Sequence, residues 1–277
     1  MIGRKYTLFG SEAEFYVDAE EFIAEPLMKD AYALALRLQK IFNIYDESSE
    51  ISMLNRNRQI KASPEMIEVL STALKLCELS GGEYDISLGK QFLQRKNGQE
   101  LTVRKCSYKD IQIDGDTIRL LHDDAWLDLG SIAKGYIGER ICLFFQEQGI
   151  VSGYIDARGD LRIFGEPMYI DVQHPRNNGM LLSIKVKDKG VATSGDYNQY
   201  NKSYDSSHIL NKKEIISATV ISDDLMHADA YATILMVCDP DTRERIIIDA
   251  GYHALTIDKD LNIKYYNGFE NIVINKT

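Results

Sequence analysis

The spacing of apolar residues predicts most of the helices in this chain. Over about 21–42, apolar side chains return every three or four residues, which is the period of one helix face. Ser63 followed by Pro64 is typical of an N-cap and a first helical position, and the helix predicted there ends at the two glycines at 81–82. Three further helices are predicted in the second half of the chain: one after Ser131, one over about 224–237 and one over about 242–250.

Alternation of apolar and polar residues predicts strands. The string IQIDGDTIRL alternates around Asp114 and Gly115, which indicates a hairpin whose turn needs a positive φ. A short strand through Trp126 and Leu127 follows, and most of 152–191 and the strings SATVIS, HALTID and NIKYYN are also predicted to be strands. Because runs of strands stand beside grouped helices, the pattern favours an α+β fold over a doubly wound parallel sheet.

Composition and charge narrow the class of protein. The chain has 277 residues, of which 44% are hydrophobic, so it can bury a large core. It contains no linker or low-complexity segment, which favours one compact unit over 1–277. Acidic residues outnumber basic ones by 42 to 32, for a net charge of -10, so a nucleic acid is not expected as a partner. No run of about 18 apolar residues occurs, so no membrane span is expected.

The first residues and the cysteines favour a cytoplasmic location. The opening string MIGRKYTLFG has neither the apolar segment nor the cleavage site of a signal peptide. Cys77, Cys106, Cys142 and Cys238 are far apart and lack the spacing of a metal site. Such cysteines are typical of reduced, buried thiols in a cytosolic protein.

The stretch LDLGSIAKGYIGER, residues 127–140, places a lysine where a helix dipole would repel it. Ser131 is the predicted N-cap, so Lys134 lies in the first helical turn. An anion would relieve the repulsion, and the unpaired amides of a first turn would bind a phosphate together with Lys134. The alternative is an ordinary strand-to-helix turn in which Lys134 points to solvent or pairs with Asp128.

The string DDLMHADAYATILMV places Asp229 and Thr233 one helical turn apart. Both side chains then lie on one helix face and direct two oxygens at one spot, as a magnesium ion needs. Water, carbonyl groups and substrate phosphate usually fill the remaining positions around that ion. The alternative is an exposed Asp229 and a Thr233 that is buried through its methyl group.

Other strings contain further groups that suit a binding site or an acid–base role. Tyr84 and Asp85 would stand at the start of a strand and could hold a planar polar ring, or the strand start could simply face solvent. Residues 190–195 are predicted to form a tight turn that presents backbone amides. His208 could act as a base near neutral pH, or could be structural. The RGD string at 158–160 would mediate cell adhesion only in an exported protein, and no export signal is present.

Seven strings, in this order and spacing, resemble the ApbE family of magnesium-dependent FAD:protein FMN transferases: YDESSEISMLN, GGEYDIS, LDLGSIAKGYIGER, DARGDLRIFG, GVATSGDY, HIL and HADAYAT. The resemblance extends from about Tyr6 to the last predicted strand. It implies a single α+β unit with a mainly antiparallel sheet and packed helices. It also implies an enzyme that cleaves the pyrophosphate of FAD with Mg²⁺, attaches FMN to a Ser or Thr of an acceptor protein and releases AMP.

The resemblance assigns roles to residues by their position in these motifs. The contacts to FAD would be made by Tyr45, Glu83, Tyr84, Asp85, Asp128, Lys134 and Ile209. The magnesium ligands would be Asp229, Thr233 and an oxygen of Ser131, its backbone carbonyl. His208 and Lys134 would be the catalytic residues: His208 would take the proton from the incoming hydroxyl, and Lys134 would neutralise charge on the phosphoryl oxygens.

The chain departs from the family pattern in two of these motifs. The family's D-P-R-T-G segment after the His-Ile pair is absent, and Asn211 and Lys212 replace its acid and its proline. The family's G-G-D is R-G-D here, so Arg158 stands where the family has a glycine. Two alternative functions therefore remain open: an FAD pyrophosphatase that makes FMN and AMP without an acceptor protein, and an FAD-binding module without turnover.

Overall fold

The computed structural model describes residues 2–196 and 213–276, which contain seven α-helices and fourteen β-strands. The helices are α1 (Glu21–Phe42), α2 (Glu50–Asn57), α3 (Pro64–Leu79), α4 (Gly89–Lys96), α5 (Ala133–Glu147), α6 (Leu225–Val237) and α7 (Pro240–Ala250). The strands are β1 (Ile2–Leu8), β2 (Ser11–Val17), β3 (Gln59–Lys61), β4 (Ile111–Asp114), β5 (Thr117–Leu120), β6 (Gly153–Asp156), β7 (Leu161–Phe164), β8 (Met168–Gln173), β9 (Met180–Val186), β10 (Gly190–Gly195), β11 (Ile215–Ser222), β12 (His253–Asp258), β13 (Ile263–Tyr266) and β14 (Val273–Lys276). Among the helices of the described residues, none combines the length and the apolar character needed to cross a membrane.

Eight strands form one antiparallel sheet, in the order β1-β2-β6-β7-β10-β11-β12-β13. The β1–β2 hairpin turns at Phe9 and Gly10, whose φ angles are 55° and 73°. The β6–β7 hairpin turns over 157–160, where Arg158 and Gly159 have φ angles of 64° and 89°. Because β2 runs antiparallel to β6 with Glu14 opposite Asp156, both turns lie at the same end of the sheet. The antiparallel pairing confirms the predicted α+β class.

The large sheet is buried on both faces at β7, β10, β11 and β12. Val220 and Ala254 belong to the hydrophobic cluster that contains the apolar faces of the helices. Their chain neighbours Ile221 and Leu255 point to the opposite face and belong to a second cluster. That cluster is completed by apolar residues of a three-stranded sheet in the order β14-β9-β8. Strand β11, which is buried along its whole length, is therefore a central strand with a nearly continuous apolar sequence.

Most of the predicted elements are present. Helix α1 has the predicted bounds, and α6 begins one residue after the predicted start, because Asp224 is its N-cap. Ser63 caps α3 by accepting a hydrogen bond from the backbone N–H of Met66 at 3.2 Å, and Pro64 is the first helical residue. The predicted hairpin joins β4 to β5 in a third, smaller sheet, and its Gly115 has a φ of 59°.

Three local predictions were wrong. Residues 84–85 and 126–127 do not form strands, since the chain there contributes only an isolated parallel bridge between Leu88 and Trp126. Residues 190–195 form β10 instead of a tight turn, because the segment pairs along its whole length with β11. The patterns also gave no prediction for β1, β2, α2 and α4. Strand β1 lies at the edge of the sheet, β2 pairs with β1 and β6, and α2 and α4 are short polar helices, so long-range contacts determine these elements more than local sequence does.

The four cysteines are free and buried, as their spacing predicts. Burial raises the pKa of the Cys77, Cys142 and Cys238 thiols to about 12 and also raises the pKa of Cys106. A buried, protonated thiol is a poor nucleophile and a poor metal ligand. These cysteines therefore contribute to the core and have no reactive role near neutral pH.

Arg243, a buried residue of α7 that contacts the end of α6, provides a pH-dependent test of stability. Arg243 is 3% exposed and donates hydrogen bonds to the Leu235 and Cys238 carbonyls and, at 2.7 Å, to Glu214. Burial is the largest single influence and raises the pKa of Glu214, but the hydrogen bonds to the carboxylate and the charge of Arg243 together outweigh it, so the net pKa is lowered. This carboxylate therefore stabilises the fold above its ordinary pKa, and the contribution is lost as the pH falls through the lowered value.

We expect Glu214→Gln to lower the free energy of unfolding by about 1 kcal/mol or less at about pH 7, since the Glu214 side chain is partly exposed and screened. At about pH 3 the difference from the unaltered protein should disappear. Urea unfolding of both proteins at the two pH values checks this. An equal difference at both pH values would contradict the assigned ion pair.

Candidate active site

A cavity of about 770 Å³ lies where the helices meet the end of the large sheet that carries the two hairpin turns. This volume is within the range of sites that bind small molecules and cofactors. The cavity is lined by all the predicted site residues that the structure describes: Tyr45, Glu83, Tyr84, Asp85, Asp128, Ser131, Lys134, Asp229 and Thr233. These residues come from four separate parts of the chain, so the fold brings together groups that the sequence keeps far apart.

Lys134 lies between two buried carboxylates. Its ammonium contacts Asp160 and, at 2.9 Å, Asp229, while the two carboxylate side chains are only 6% and 5% exposed. Burial lowers the pKa of Lys134, but the two negative charges outweigh burial and raise it, so the lysine stays charged. Burial and the nearby Asp229 raise the pKa of Asp160, and Lys134 opposes that shift. The alternative partners considered for Lys134, solvent or Asp128, are both wrong.

Asp229 also fixes the position of α5 against α6. Its second carboxylate oxygen accepts a hydrogen bond from the Gly135 backbone N–H at 2.9 Å, in the first turn of α5. A Cβ atom added to Gly135 would lie 2.8 Å from the Asp229 Cβ and would collide with the Leu225 carbonyl. The absence of a side chain at Gly135 therefore lets the two helices approach closely enough for this hydrogen bond.

The alternative of an exposed Asp229 is also wrong, because Asp229 is 3% exposed. Nearly every residue of α6 is buried, so a carboxylate on this helix needs a partner, and Lys134 and the Gly135 amide supply two. Thr233, one turn later, forms a hydroxyl–hydroxyl hydrogen bond of 3.1 Å with Ser194 at the end of β10. Asp229 and Thr233 both line the cavity, as their spacing on the helix predicts.

Ser131 is not the N-cap of α5, which corrects the sequence prediction. The N-cap is Ile132, and α5 begins at Ala133. The Ser131 hydroxyl instead forms a 2.8 Å hydrogen bond with the hydroxyl of the buried Tyr84, and this contact competes with the capping role. The hydroxyls of Ser131 and Tyr84 therefore lie together on the cavity wall, beside the start of α5.

The oxygen groups in this part of the cavity fit a magnesium ion. Asp160 and Asp229 supply carboxylates, and Thr233 and Ser131 supply hydroxyl oxygens, all of them lining the same cavity. In the part of the chain that the structure describes, no cluster of three or more His, Cys, Asp or Glu side chains could hold a metal by itself. Magnesium is usually bound by one or two carboxylates plus water and substrate phosphate, so this donor set suits it.

Tyr45 lies at the mouth of the cavity, with 54% of the residue exposed. The Lys96 ammonium, on α4, lies 3.7 Å from the centroid of the Tyr45 ring, in a cation–π contact. Tyr45 is therefore an aromatic surface beside a cation, which is suited to a planar ring system. Lys96 also lowers the pKa of the half-buried Asp128 carboxyl, although desolvation is the larger effect and the net shift is upward.

Asp85 and Glu83 line the cavity but already have partners within the protein. Asp85 has a fully buried side chain that pairs with Arg104 and accepts hydrogen bonds from the backbone of Ser87 and Tyr108. Glu83 accepts a hydrogen bond at 2.9 Å from the backbone N–H of Asp239, just before α7. In this structure both carboxylates hold the cavity wall in place, and their predicted contacts to FAD remain predictions.

Two predicted residues, His208 and Ile209, lie outside the described residues. Among the cavity-lining residues that were not predicted to be site residues are Phe9, Lys96 and Asp160. Asp160 belongs to the RGD string, and its identity with the acid of the family's G-G-D was the only signal that could have identified it. No local sequence pattern identifies Phe9 or Lys96 as a site residue, because only the fold brings them to the cavity. Phe9 lies on the β1–β2 turn, and Lys96 lies on α4.

Comparison with known proteins identifies the family of this chain. The model of the ApbE family matches residues 9–256. An FAD:protein FMN transferase of Vibrio cholerae is 25% identical over 256 residues, covering 78% of this chain and 77% of its own length. An FAD:protein FMN transferase of Klebsiella pneumoniae is 22% identical over 281 residues, covering 88% of this chain and 80% of its own length.

Solved structures show the same fold. The ApbE protein of Thermotoga maritima has a TM-score of 0.88 with 23% identity, and the match covers 99% of each chain. The flavin transferase ApbE of Vibrio cholerae has a TM-score of 0.85 with 22% identity over 98% of each chain. At these identities the structural matches establish the arrangement of helices and strands.

Proposed function

The chain belongs to the ApbE family, and from that premise we propose that it is an FAD:protein FMN transferase. It would cleave the FAD pyrophosphate, attach FMN to a Ser or Thr hydroxyl of an acceptor protein and release AMP. The two relatives compared above are named FAD:protein FMN transferase, and this chain covers more than three quarters of their length.

The main support for the proposal is the set of charged and hydroxyl groups that the fold brings together in the cavity. Lys134, Asp160, Asp229, Ser131 and Thr233 come from distant parts of the sequence and line one cavity, where cationic, carboxylate and hydroxyl groups face each other. This combination suits a diphosphate with a divalent cation better than it suits an uncharged ligand. The cavity is also deep and partly apolar, as the ring systems of a dinucleotide require.

The residues divide between holding the metal and neutralising the phosphate. Asp229, Thr233 and Ser131 would hold Mg²⁺, with Asp160 beside them. Bound magnesium would supply Lewis-acid polarisation of a phosphoryl oxygen. Lys134 would remain charged and would donate hydrogen bonds to the phosphate oxygens as negative charge develops on them.

The other residues would bind the nucleotide and move the proton. Tyr45 offers an exposed ring for stacking, and Tyr84 and Asp128 form part of the cavity wall. His208 would take the proton from the acceptor hydroxyl, as the resemblance implies, and Ile209 would contact FAD. The acceptor protein would therefore have to reach the same cavity, near the position of His208.

Release of AMP from FAD tests the proposal directly. We expect the protein to produce AMP from FAD when Mg²⁺ is present and to stop when a chelator is added. With a flavin-acceptor domain present, we expect a covalent fluorescent band on that domain, which its Ser/Thr→Ala variant should not show. AMP release without a labelled acceptor would indicate a pyrophosphatase. FAD binding without AMP release would indicate a binding module, and either result would overturn the proposal.

A further inference from the structure

Arg158 is a cation on the cavity wall that belongs to no ion pair among the described residues. It lies at the tip of the β6–β7 turn and is exposed, and it lines the same cavity as Lys134. Its guanidinium makes one hydrogen bond, a long one of 3.3 Å to the Phe9 carbonyl on the neighbouring turn. A guanidinium has five N–H donors, so most of them remain free for a ligand.

The backbone at Arg158 makes the presence of a large side chain there notable. Its φ is 64°, in the left-handed region that glycine adopts without strain and that longer residues rarely adopt. Gly159, which follows, has a φ of 89°, so the turn needs two such residues in succession. A strained position on a cavity wall is an observation from which a functional role can be argued.

The neighbouring acids do not neutralise Arg158. Asp156 accepts a hydrogen bond from the Gly159 N–H at 2.6 Å, and Asp160 pairs with Lys134 and accepts from the Thr193 N–H at 3.2 Å. Both carboxylates are therefore already engaged within the turn or with Lys134. Arg158 is held near the cavity by the turn itself, and within residues 2–196 and 213–276 its charge has no ion-pair partner.

The charge on the cavity wall shows why a further cation matters. Lys134 carries one positive charge, and Asp160 and Asp229 carry one negative charge each when ionised, so these three groups together are net negative. A nucleotide diphosphate is itself negative and would be repelled by that cluster. A magnesium ion and Arg158 would each reduce this repulsion, and an arginine can also bind two phosphate oxygens at once.

We propose that Arg158 binds a phosphate group of the nucleotide substrate and so adds to this chain a second fixed cation for the diphosphate. This inference rests on the proposed function, since it names a further binding residue for the same substrate. It predicts that part of the affinity for FAD persists when magnesium is removed. It also predicts that this part depends on salt, because charges near solvent are screened.

The test measures FAD binding in a chelator, where no cleavage is expected, by quenching of flavin fluorescence. We expect Arg158→Gln and Arg158→Gly to weaken FAD binding about tenfold, which corresponds to about 1.4 kcal/mol. We expect Arg158→Lys to retain part of the affinity. Riboflavin has no phosphate, so its binding should be the same in all these proteins. The salt dependence of FAD binding should become shallower in Arg158→Gln.

Arg140→Gln is the matched control, because Arg140 is exposed on α5, does not line the cavity, and changes the net charge by the same amount. It should bind FAD like the unaltered protein. Unchanged or tighter FAD binding by Arg158→Gly would overturn the inference and indicate that Arg158 obstructs the cavity or plays no part. An equal loss of riboflavin binding would also overturn it, in favour of a contact to the flavin ring. If the unaltered protein bound no FAD in the chelator, the inference would be wrong; if it also bound no FAD and released no AMP with Mg²⁺ present, the proposed function itself would be wrong.

Discussion

Asp229→Asn is expected to lower the rate of magnesium-dependent AMP release from FAD by about a thousandfold. The amide would keep an oxygen for the Gly135 N–H but would lose the charge that faces Lys134 and the proposed metal. A metal that polarises a phosphoryl oxygen contributes several kcal/mol to transition-state stabilisation. Because about 1.4 kcal/mol is a factor of ten in rate, the loss of that metal reaches this size.

Two comparisons separate a lost metal ligand from a damaged fold. Asp249→Asn makes the same chemical change at an exposed position of α7 outside the cavity, and it should turn over FAD at the unaltered rate. Circular dichroism and thermal unfolding should show that Asp229→Asn is folded. Asp229→Ala should be less stable than Asp229→Asn, since it leaves the buried Gly135 N–H without an acceptor. A folded Asp229→Asn with the full rate would remove Asp229 from the metal site.

Lys134→Met is expected to reduce AMP release by about a hundredfold or more and to destabilise the fold when magnesium is absent. Methionine keeps the length of the side chain but leaves Asp160 and Asp229 facing each other without a cation. Removing one partner of a buried ion pair costs about 3–5 kcal/mol. The loss of a preorganised charge at the phosphate accounts for the slower reaction.

The double variant Lys134→Met with Asp160→Asn isolates the two effects. It removes one of the two uncompensated carboxylates, so we expect most of the stability to return while the activity does not. Adding Mg²⁺ should also raise the unfolding temperature of Lys134→Met more than that of the unaltered protein, because the lysine no longer competes for the carboxylates. Unfolding scans with and without chelator measure both effects. Full activity in Lys134→Met would exclude the role proposed for this lysine.

The parts of the fold that the sequence predicts well are those with a strong local signal. Helix α1 repeats apolar residues over 22 positions, and its bounds match the prediction. The hairpin at Gly115 depends on one turn residue with a positive φ, and the turn is present. By contrast, β1 pairs only with β2, and β2 also pairs with β6, which is far along the chain, so the place of this hairpin in the sheet depends on a long-range contact.

The site shows the same division between local and long-range information. The spacing of Asp229 and Thr233 on α6 is local, and both line the cavity as predicted. Asp160 contacts Lys134 only because the β6–β7 turn lies beside the start of α5, which no spacing in the sequence reveals. The local sequence predicts that Ser131 is a helix cap, but its hydroxyl pairs with Tyr84, which is 47 residues earlier in the chain.

The apolar composition of α6 predicts that Asp229 is buried. Its residues are apolar on all sides, which is typical of a helix buried all round. A carboxylate in such a helix is expected to be paired, since an unpaired charge in the core is costly. The sequence of α6 therefore predicts a buried Asp229 with a cationic partner, and that partner is Lys134.

The close approach of α5 and α6 at Gly135 constrains any attempt to engineer a more heat-resistant version of this enzyme. Exchanging helical glycines for alanine is a common route to higher thermal tolerance, because it restricts the unfolded chain. On α5 that route would fail at Gly135, where a methyl group would strike the Leu225 carbonyl, and at Gly138 it would force the end of the buried Leu225 side chain to move. Design libraries for this scaffold should leave these two positions fixed and search instead the solvent-facing surface of α1 or α7.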